Sequence, residues 1–287
     1  MNNTAEPTIH PITDADITAV ADFLHQHMNS QFSSQEWEQG INACWLKDAP
    51  NHGFMLQANN KIVGVICAIY SLQQVKGSEE RFCNPHTWCV LEPYRKKSVA
   101  LVLSVICQEG FHFTMFSPNK EGEQIFNYLG FKPLNQSQLI LPHCPSFKCF
   151  RSNELLTPNQ MAEQLPSLLK KYYQDHQPYP WVQPLAFHSG SEYCLIFYTR
   201  GKYKKLPCAN ITYISNKNLF LKHWGPIKNH LLFKQGICLS RIDKRMLPLS
   251  PMLSFKTVNG HPRFYLSKNL DSTDIEYIYS ELVIMNL

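Results

Sequence analysis

The sequence predicts an α/β fold with mixed sheets, in an N-terminal domain followed by a second, smaller domain of the same kind. Three observations lead there. Apolar segments of strand length alternate with segments of helical period through residues 1–141. A proline-punctuated stretch then interrupts the pattern, and a hairpin followed by strand–helix–strand returns after it. The 287 residues, 44% of them hydrophobic and 12% aromatic, suffice for two packed cores.

The elements follow in chain order. Thr13 and Asp16 make a box-like helix start, behind which Ile17, Val20, Ala21 and Leu24 recur at helical spacing. Ser33 or Ser34 opens a second helix, with Trp37, Ile41, Cys44 and Trp45 as its apolar face. Phe54 to Ala58 and Ile62 to Tyr70 flank Asn59-Asn60, a hairpin because asparagine readily takes positive φ. Strand 82–91, helix 97–109, strand 111–117, helix 119–129 and an extended segment from Phe131 to Leu141 complete the first domain, 1–141. Residues 142–182 read as a Pro-rich linker with one helix, about Asn159 to Tyr173, and the run Pro178 to Pro184 is too rich in proline for regular structure. In the second domain, 183–287, Tyr193 to Thr199 and a turn at Arg200-Gly201-Lys202 predict a hairpin. Strand 209–214, helix 218–233 interrupted near Gly225-Pro226, strand 236–242, strand 263–267 and a C-terminal helix from Asp271 or Ser272 follow.

Composition narrows the function. A net charge of +5 suits a small polyanionic ligand and is too diffuse for nucleic acid. Ten cysteines form no CxxC pair, and Cys67, Cys89, Cys107 and Cys194 sit in apolar runs, so reduced, buried thiols in a cytoplasmic protein are expected. No leader pattern stands at Met1 to Pro7, and the apolar runs Ile62 to Tyr70 and Val99 to Cys107 are less than half of a membrane span. No metal is expected: His25 and His27 diverge on a helix, and His143, Cys144 and Cys149 have no fourth ligand at recognisable spacing.

The chemistry concentrates between Val90 and Leu101. Val90 and Leu91 end a strand, Arg95, Lys96 and Lys97 form a basic turn, and Ser98, Val99 and Ala100 begin an apolar helix. Cations oppose the dipole at a helix start, and an anion resolves the conflict, so the turn reads as a phosphate or pyrophosphate seat. These residues resemble the acyl-CoA motif of the GCN5-related N-acetyltransferase family, Gln/Arg-x-x-Gly-x-Gly/Ala, with Arg95 and Ala100 matching and Ser98 in place of a glycine. The resemblance continues from Asn119 to Phe131, which is similar to the family's Asn-x-x-Ala-x-x-Leu-Tyr-x-x-x-Gly-Phe block.

That resemblance implies acetyl-CoA as co-substrate, no metal, and a small amine-bearing acceptor attacking the thioester directly. It implies that Val90, Leu91 and Arg95 to Ala100 hold the coenzyme and that Asn119 approaches its pantetheine arm. It also implies that a backbone N–H at Cys89 or Val90 meets the thioester carbonyl. Phe126 stands where the family usually has the tyrosine that protonates the departing thiolate, and Tyr128, two residues on, points to another helix face. For the general base, Glu79, Glu80, His86 and Glu92 are available, and His86 alone titrates near neutrality unperturbed. The second domain has Ser215 to Asn218 where the cation motif would stand and reads as a degenerate copy. A non-catalytic acyl-CoA-binding or interaction protein is the alternative, and a tandem transferase using aminoacyl-tRNA is a third reading. The acceptor is left open among an amino sugar, an amino acid, a polyamine and a protein terminus.

Overall fold

The computed structural model describes residues 6–151, 154–247 and 256–285, so Met1 to Ala5 lie outside the described residues. Strand β1 (Thr8–Pro11) leads through a 3-10 turn to α1 (Ile17–His27) and then α2 (Ser34–Ile41). Their apolar stripes, including Val20, Leu24, Trp37 and Ile41, pack together, and Ser33 with Glu36 closes a capping box on α2. Trp45 lies beyond the end of α2 rather than on its face, and its N–H donates to the Tyr70 carbonyl at 2.8 Å. Strands β2 (Gly53–Ala58) and β3 (Lys61–Val75) form the hairpin, with Asn59 and Asn60 at φ 51° and 60°. Then follow β4 (Ser78–Val90), a 3-10 turn at Glu92–Lys97, α3 (Ser98–Ile106), β5 (His112–Met115), α4 (Lys120–Tyr128), β6 (Lys132–Pro133) and β7 (Ser137–Pro142). Cys107 caps α3 and is exposed, against the expectation of a buried thiol.

Proline sets several boundaries of the second half. The single helix expected over 159–173 is two, α5 (Pro158–Gln164) and α6 (Ser167–His176), because Leu165 is extended before Pro166. Strand β8 (Val182–Ser189) begins inside the stretch expected to be irregular. It lies at a sheet edge, where the missing N–H of Pro184 leaves no central ladder bond open. Strands β9 (Glu192–Tyr203) and β10 (Leu206–Ile214) turn at Lys204-Lys205, both at positive φ, and not at residues 200–202. Helices α7 (Lys217–Lys222) and α8 (Trp224–Phe233) part at His223, with Pro226 in the first turn of α8, where no partner is needed for its nitrogen. Strands β11 (Leu239–Asp243), β12 (Lys256–Asn259) and β13 (Phe264–Leu266) follow. The helix expected from residue 271 is a 3-10 turn at Ser272–Asp274, and α9 (Glu281–Ile284) comes only later.

Two mixed sheets result, in the orders β1-β2-β3-β4-β5-β13-β6 and β12-β7-β11-β10-β9-β8. Each contains one parallel pair, β4 with β5 and β10 with β11. The halves exchange strands: β7 enters the second sheet beside β11, and β13 enters the first beside β5. The segment expected to close the first domain is therefore divided between the sheets, because Leu139 and Leu141 of β7 bury into the second sheet's core with Ile211, Ile242 and Phe187. That core also takes in Phe82 and Phe116 of the first half. A buried polar cluster pins the exchange. The Asp243 carboxylate accepts from Arg263 at 2.8 Å, from Gln138 of β7 at 2.9 Å and from the Tyr277 hydroxyl.

Candidate functional site

The first sheet opens between its parallel strands. β4 and β5 pair only at Phe82 with His112 and Cys83 with Phe113. Beyond that point, side chains satisfy the backbone in place of a ladder. Asn84 donates to the Thr114 carbonyl at 3.0 Å, and Glu281 accepts from the Phe116 N–H at 3.0 Å and the Ser117 hydroxyl at 2.9 Å. The Glu281 N–H in turn donates to Asn84 at 2.9 Å, so the C-terminal segment props the gap open. A bulge sharpens the divergence. Val65 faces Cys89 and Cys67 faces His86, so Thr87 and Trp88 stand opposite Ile66 alone. Thr87 takes φ 53°, a conformation that costs a β-branched residue about 1–3 kcal/mol.

The gap holds a cavity of ≈ 420 Å³ lined by His86, Thr87, Trp88, Asn119, Phe126 and Glu281 among others. Three buried polar atoms at its wall have no hydrogen-bond partner among the described residues: His86 Nε2, Trp88 Nε1 and Glu281 Oε2. Buried polar groups are ordinarily paired, so orphans gathered on one cavity wall point to a polar ligand. His86 is 3% exposed, shares a 2.7 Å hydrogen bond with the Thr87 hydroxyl, and is pushed down to about 3 by burial, so its imidazole is neutral. Glu281 is 1% exposed. Burial raises its pKa, against the lowering effect of the bonds from Ser117 and Phe116.

Of the residues singled out by sequence, His86, Asn119 and Phe126 meet in this cavity. Asn119 caps α4, accepting from the Gly122 N–H at 2.8 Å. Phe126 is 1% exposed and packs on Trp88 and Phe131 at ring separations of 6.1 and 5.1 Å, while Tyr128 is 89% exposed. Cys89 and Val90 lie on β4 just past the bulge. Leu91 donates its N–H to Val63 on β3, and strand N–H groups alternate in direction, so that of Val90 points away from β3 toward the gap. The Cys89 thiol is raised by burial and lies 3.8 Å from the His27 carbonyl. Glu79 and Glu80 sit at the other end of β4, held by Gln74 and His112, and Glu92 lies in the 3-10 turn.

The basic turn has a geometry of its own. The 3-10 turn runs directly into α3, no side chain caps the helix, and the Ser98 N–H donates to the Arg95 carbonyl. The Ser98 N–H is thus already used within the turn, and the helix does not begin afresh at Ser98. Lys97 reaches Glu6 at 3.1 Å, and Arg95 and Lys96 have no side-chain partner among the described residues.

Sequence reasoning missed Glu281. It is remote from β4 in the chain, in a segment expected to be regular helix, and no local pattern marks it. The only signal was a carboxylate in an otherwise apolar tail, Leu282-Val283-Ile284.

No protein-family model matches the chain, and no curated protein matches it. Solved structures do. A GCN5-related N-acetyltransferase from Anabaena variabilis aligns over 91% of this chain and 72% of its own at 12% identity, with a TM-score of 0.57. A GCN5-related N-acetyltransferase from Kribbella flavida covers 91% and 70% at 10% identity, TM-score 0.55. Eis1 from Mycobacterium abscessus covers 91% and 73% at 10% identity, TM-score 0.52. At such identities the likeness speaks for architecture, and the architecture is that of the GCN5-related N-acetyltransferase fold.

Proposed function

We propose that the chain is an acyl-CoA-dependent N-acyltransferase, most simply an N-acetyltransferase using acetyl-CoA, with its reaction centre in the gap between β4 and β5. The observation that carries the reading is the set of three orphaned polar atoms on one cavity wall beside a diverging parallel pair. Each suits a part of the reaction. Trp88 Nε1 is a buried donor that a thioester carbonyl would satisfy, and the Val90 N–H is aimed at the same gap. Glu281 Oε2 is an acceptor able to take the proton lost by the attacking nitrogen, and its raised pKa brings it nearer the working pH of a general base. His86, held neutral, accepts or donates at Nε2 without adding charge.

The bond changes balance simply. Nitrogen bonds to the carbonyl carbon, the carbon–sulfur bond breaks with its electron pair leaving on sulfur, the amine proton passes to Glu281, and solvent protonates the thiolate because Phe126 has no hydroxyl. Arg95 would hold the coenzyme phosphates through its guanidinium fork, and Lys96 and Lys97 as point charges. In this reading the first sheet, completed by β13, belongs to the acyl-CoA unit, and the second sheet, completed by β7, to a unit without a coenzyme seat. Ten unpaired cysteines fit a reducing, cytoplasmic setting.

Phe126 favours one competing reading, a fold that binds the thioester and has lost the chemistry. Free-thiol release from acetyl-CoA with a panel of amines separates the two. Amine-dependent thiol release supports the transferase. Acetyl-CoA binding with no release by any amine supports the binding protein, and no binding at millimolar ligand removes both.

A further inference from the structure

A second cleft, of ≈ 990 Å³, lies between α2 and the C-terminal half. It meets the reaction cavity at Phe32, Trp37 and Met285, which line both. Its walls combine carboxylates and aromatic rings with the amides of Gln35, Gln39 and Asn42. Glu36, Glu38 and Asp175 supply carboxylates, and Trp45, Tyr179 and Trp181 form an aromatic face, with ring separations of 6.0 Å for Trp45–Tyr179 and 5.8 Å for Tyr179–Trp181. Among the described residues, no lysine, arginine or histidine lines it, although the chain carries a net charge of +5. Asp175 is already paired with Lys171 at 2.7 Å and accepts from the Tyr279 hydroxyl. Glu36 is engaged only in the cap of its own helix, with Ser33, and Glu38 has no side-chain partner among the described residues. Carboxylates and aromatic faces together attract a cation, and the apolar ring surfaces accept the carbon frame between charges. Across the shared residues Phe32, Trp37 and Met285 lies the cavity lined by Glu281 and His86, both buried, each with an unpartnered atom.

We propose that this cleft binds the acceptor, and that the acceptor is an amine bearing a second positive charge on an extended apolar frame. The distal charge is held by Glu38 beside the aromatic face, and the reacting amino group passes by Phe32, Trp37 and Met285 to Glu281. The inference rests on the acyl-transfer reading above and adds the substrate class.

The test compares 1,4-diaminobutane and spermidine with butylamine and 4-aminobutanoate, in two measurements. Binding to the wild-type protein without coenzyme is followed by the fluorescence of the cleft tryptophans. KM is read from thiol release with acetyl-CoA. The di- and triamine should bind and react with KM lower than butylamine by about tenfold or more, and the carboxylate should be worst. Glu38→Lys should raise KM for 1,4-diaminobutane by about three- to tenfold, with acetyl-CoA affinity unchanged, and Glu38→Gln should fall between. Equal binding of diamine and monoamine, preference for the carboxylate, or a diamine KM unmoved by both folded Glu38 variants overturns the inference and leaves the transferase standing. Diamine binding without any acetyl-CoA binding keeps the cleft's cation preference and removes the transferase reading together with the acceptor role.

Discussion

The two parallel strand pairs begin alike and end differently. In the first half β4 and β5 separate after two paired positions, and the space between them is a cavity walled by His86, Trp88 and Glu281. In the second half β10 and β11 stay paired from Cys208 with Leu239 to Ile211 with Ile242, and Ile214 is buried in the shared core with Ile275 and Tyr277. The helix starts differ in the same sense. At α7 the Asn216 side chain accepts from the Leu219 N–H at 2.9 Å, whereas α3 has no side-chain cap and three cations in the turn before it. One fold plan has been built twice. Unpartnered buried polar atoms occur in both halves, with Arg245 Nη2 and Glu276 Oε2 in the second, but those of His86, Trp88 and Glu281 share one cavity wall beside the parted strands. The lesson is local: what sets the candidate site apart is that its orphaned donors and acceptors converge on one cavity, not that it follows a strand–helix–strand path.

The largest expected effect breaks that distinction at Glu281. Glu281→Gln keeps the acceptors and donors of the prop while removing the base, and turnover should fall by about 10²–10⁴-fold with acetyl-CoA affinity unchanged. Turnover within a few-fold of wild type would place the proton elsewhere. Next in size is the lock between the halves. Asp243→Ala strands Arg263 beside Tyr277 without its carboxylate, and urea unfolding should show a loss of about 3–5 kcal/mol. A loss below 1 kcal/mol would mean that the exchanged strands are held by apolar packing alone.

Much of this was legible from residues in sequence. Asn59-Asn60 announced a turn because few other residues accept two positive φ values, and the run into Arg95 announced a strand ending in a helix. His86, Asn119 and Phe126 share a cavity because β4 and α4, with α3 and β5 between them in an order the periodicity set out, meet at the gap. The exchange of β7 and β13 was illegible, since pairing across more than a hundred residues depends on which core accepts Leu139 and Phe264, not on any local pattern. Glu281 was illegible for the same reason. The break at Pro166 was readable, and extending one helix across it set the tertiary periodicity above a residue that lacks the N–H.

Smaller effects sharpen the comparison. Phe126→Tyr adds a hydroxyl to the cavity wall, and turnover should rise by up to about 10²-fold at constant acetyl-CoA affinity. No rise in a folded variant would mean that this position does not serve the thiolate. Acid stability gives a further reading. Burial holds His86 at about 3 and His143 at about 4, both below the ordinary 6.5. Between those values the unfolded chain binds more protons than the folded one, so stability falls as pH drops from about 6.5 toward 4, by about 1.4 kcal/mol per pH unit for each histidine. Glu281, with its raised pKa, runs oppositely. The folded state binds its proton first, which offsets part of the loss as pH falls. Urea midpoints at pH 7 and pH 5 should differ, and less so in His86→Gln. Equal midpoints would contradict the burial of neutral imidazole.

Calorimetric titration of the full chain with acetyl-CoA addresses the difference between the two halves most directly. One molecule should bind per chain, and Arg95→Ala should weaken it by about 1.5–3 kcal/mol, with free coenzyme A weakened equally because the cations meet phosphate and not the acyl group. Two molecules per chain, or no heat at millimolar ligand, would contradict the assignment of a single acyl-CoA seat to the open gap of the first sheet.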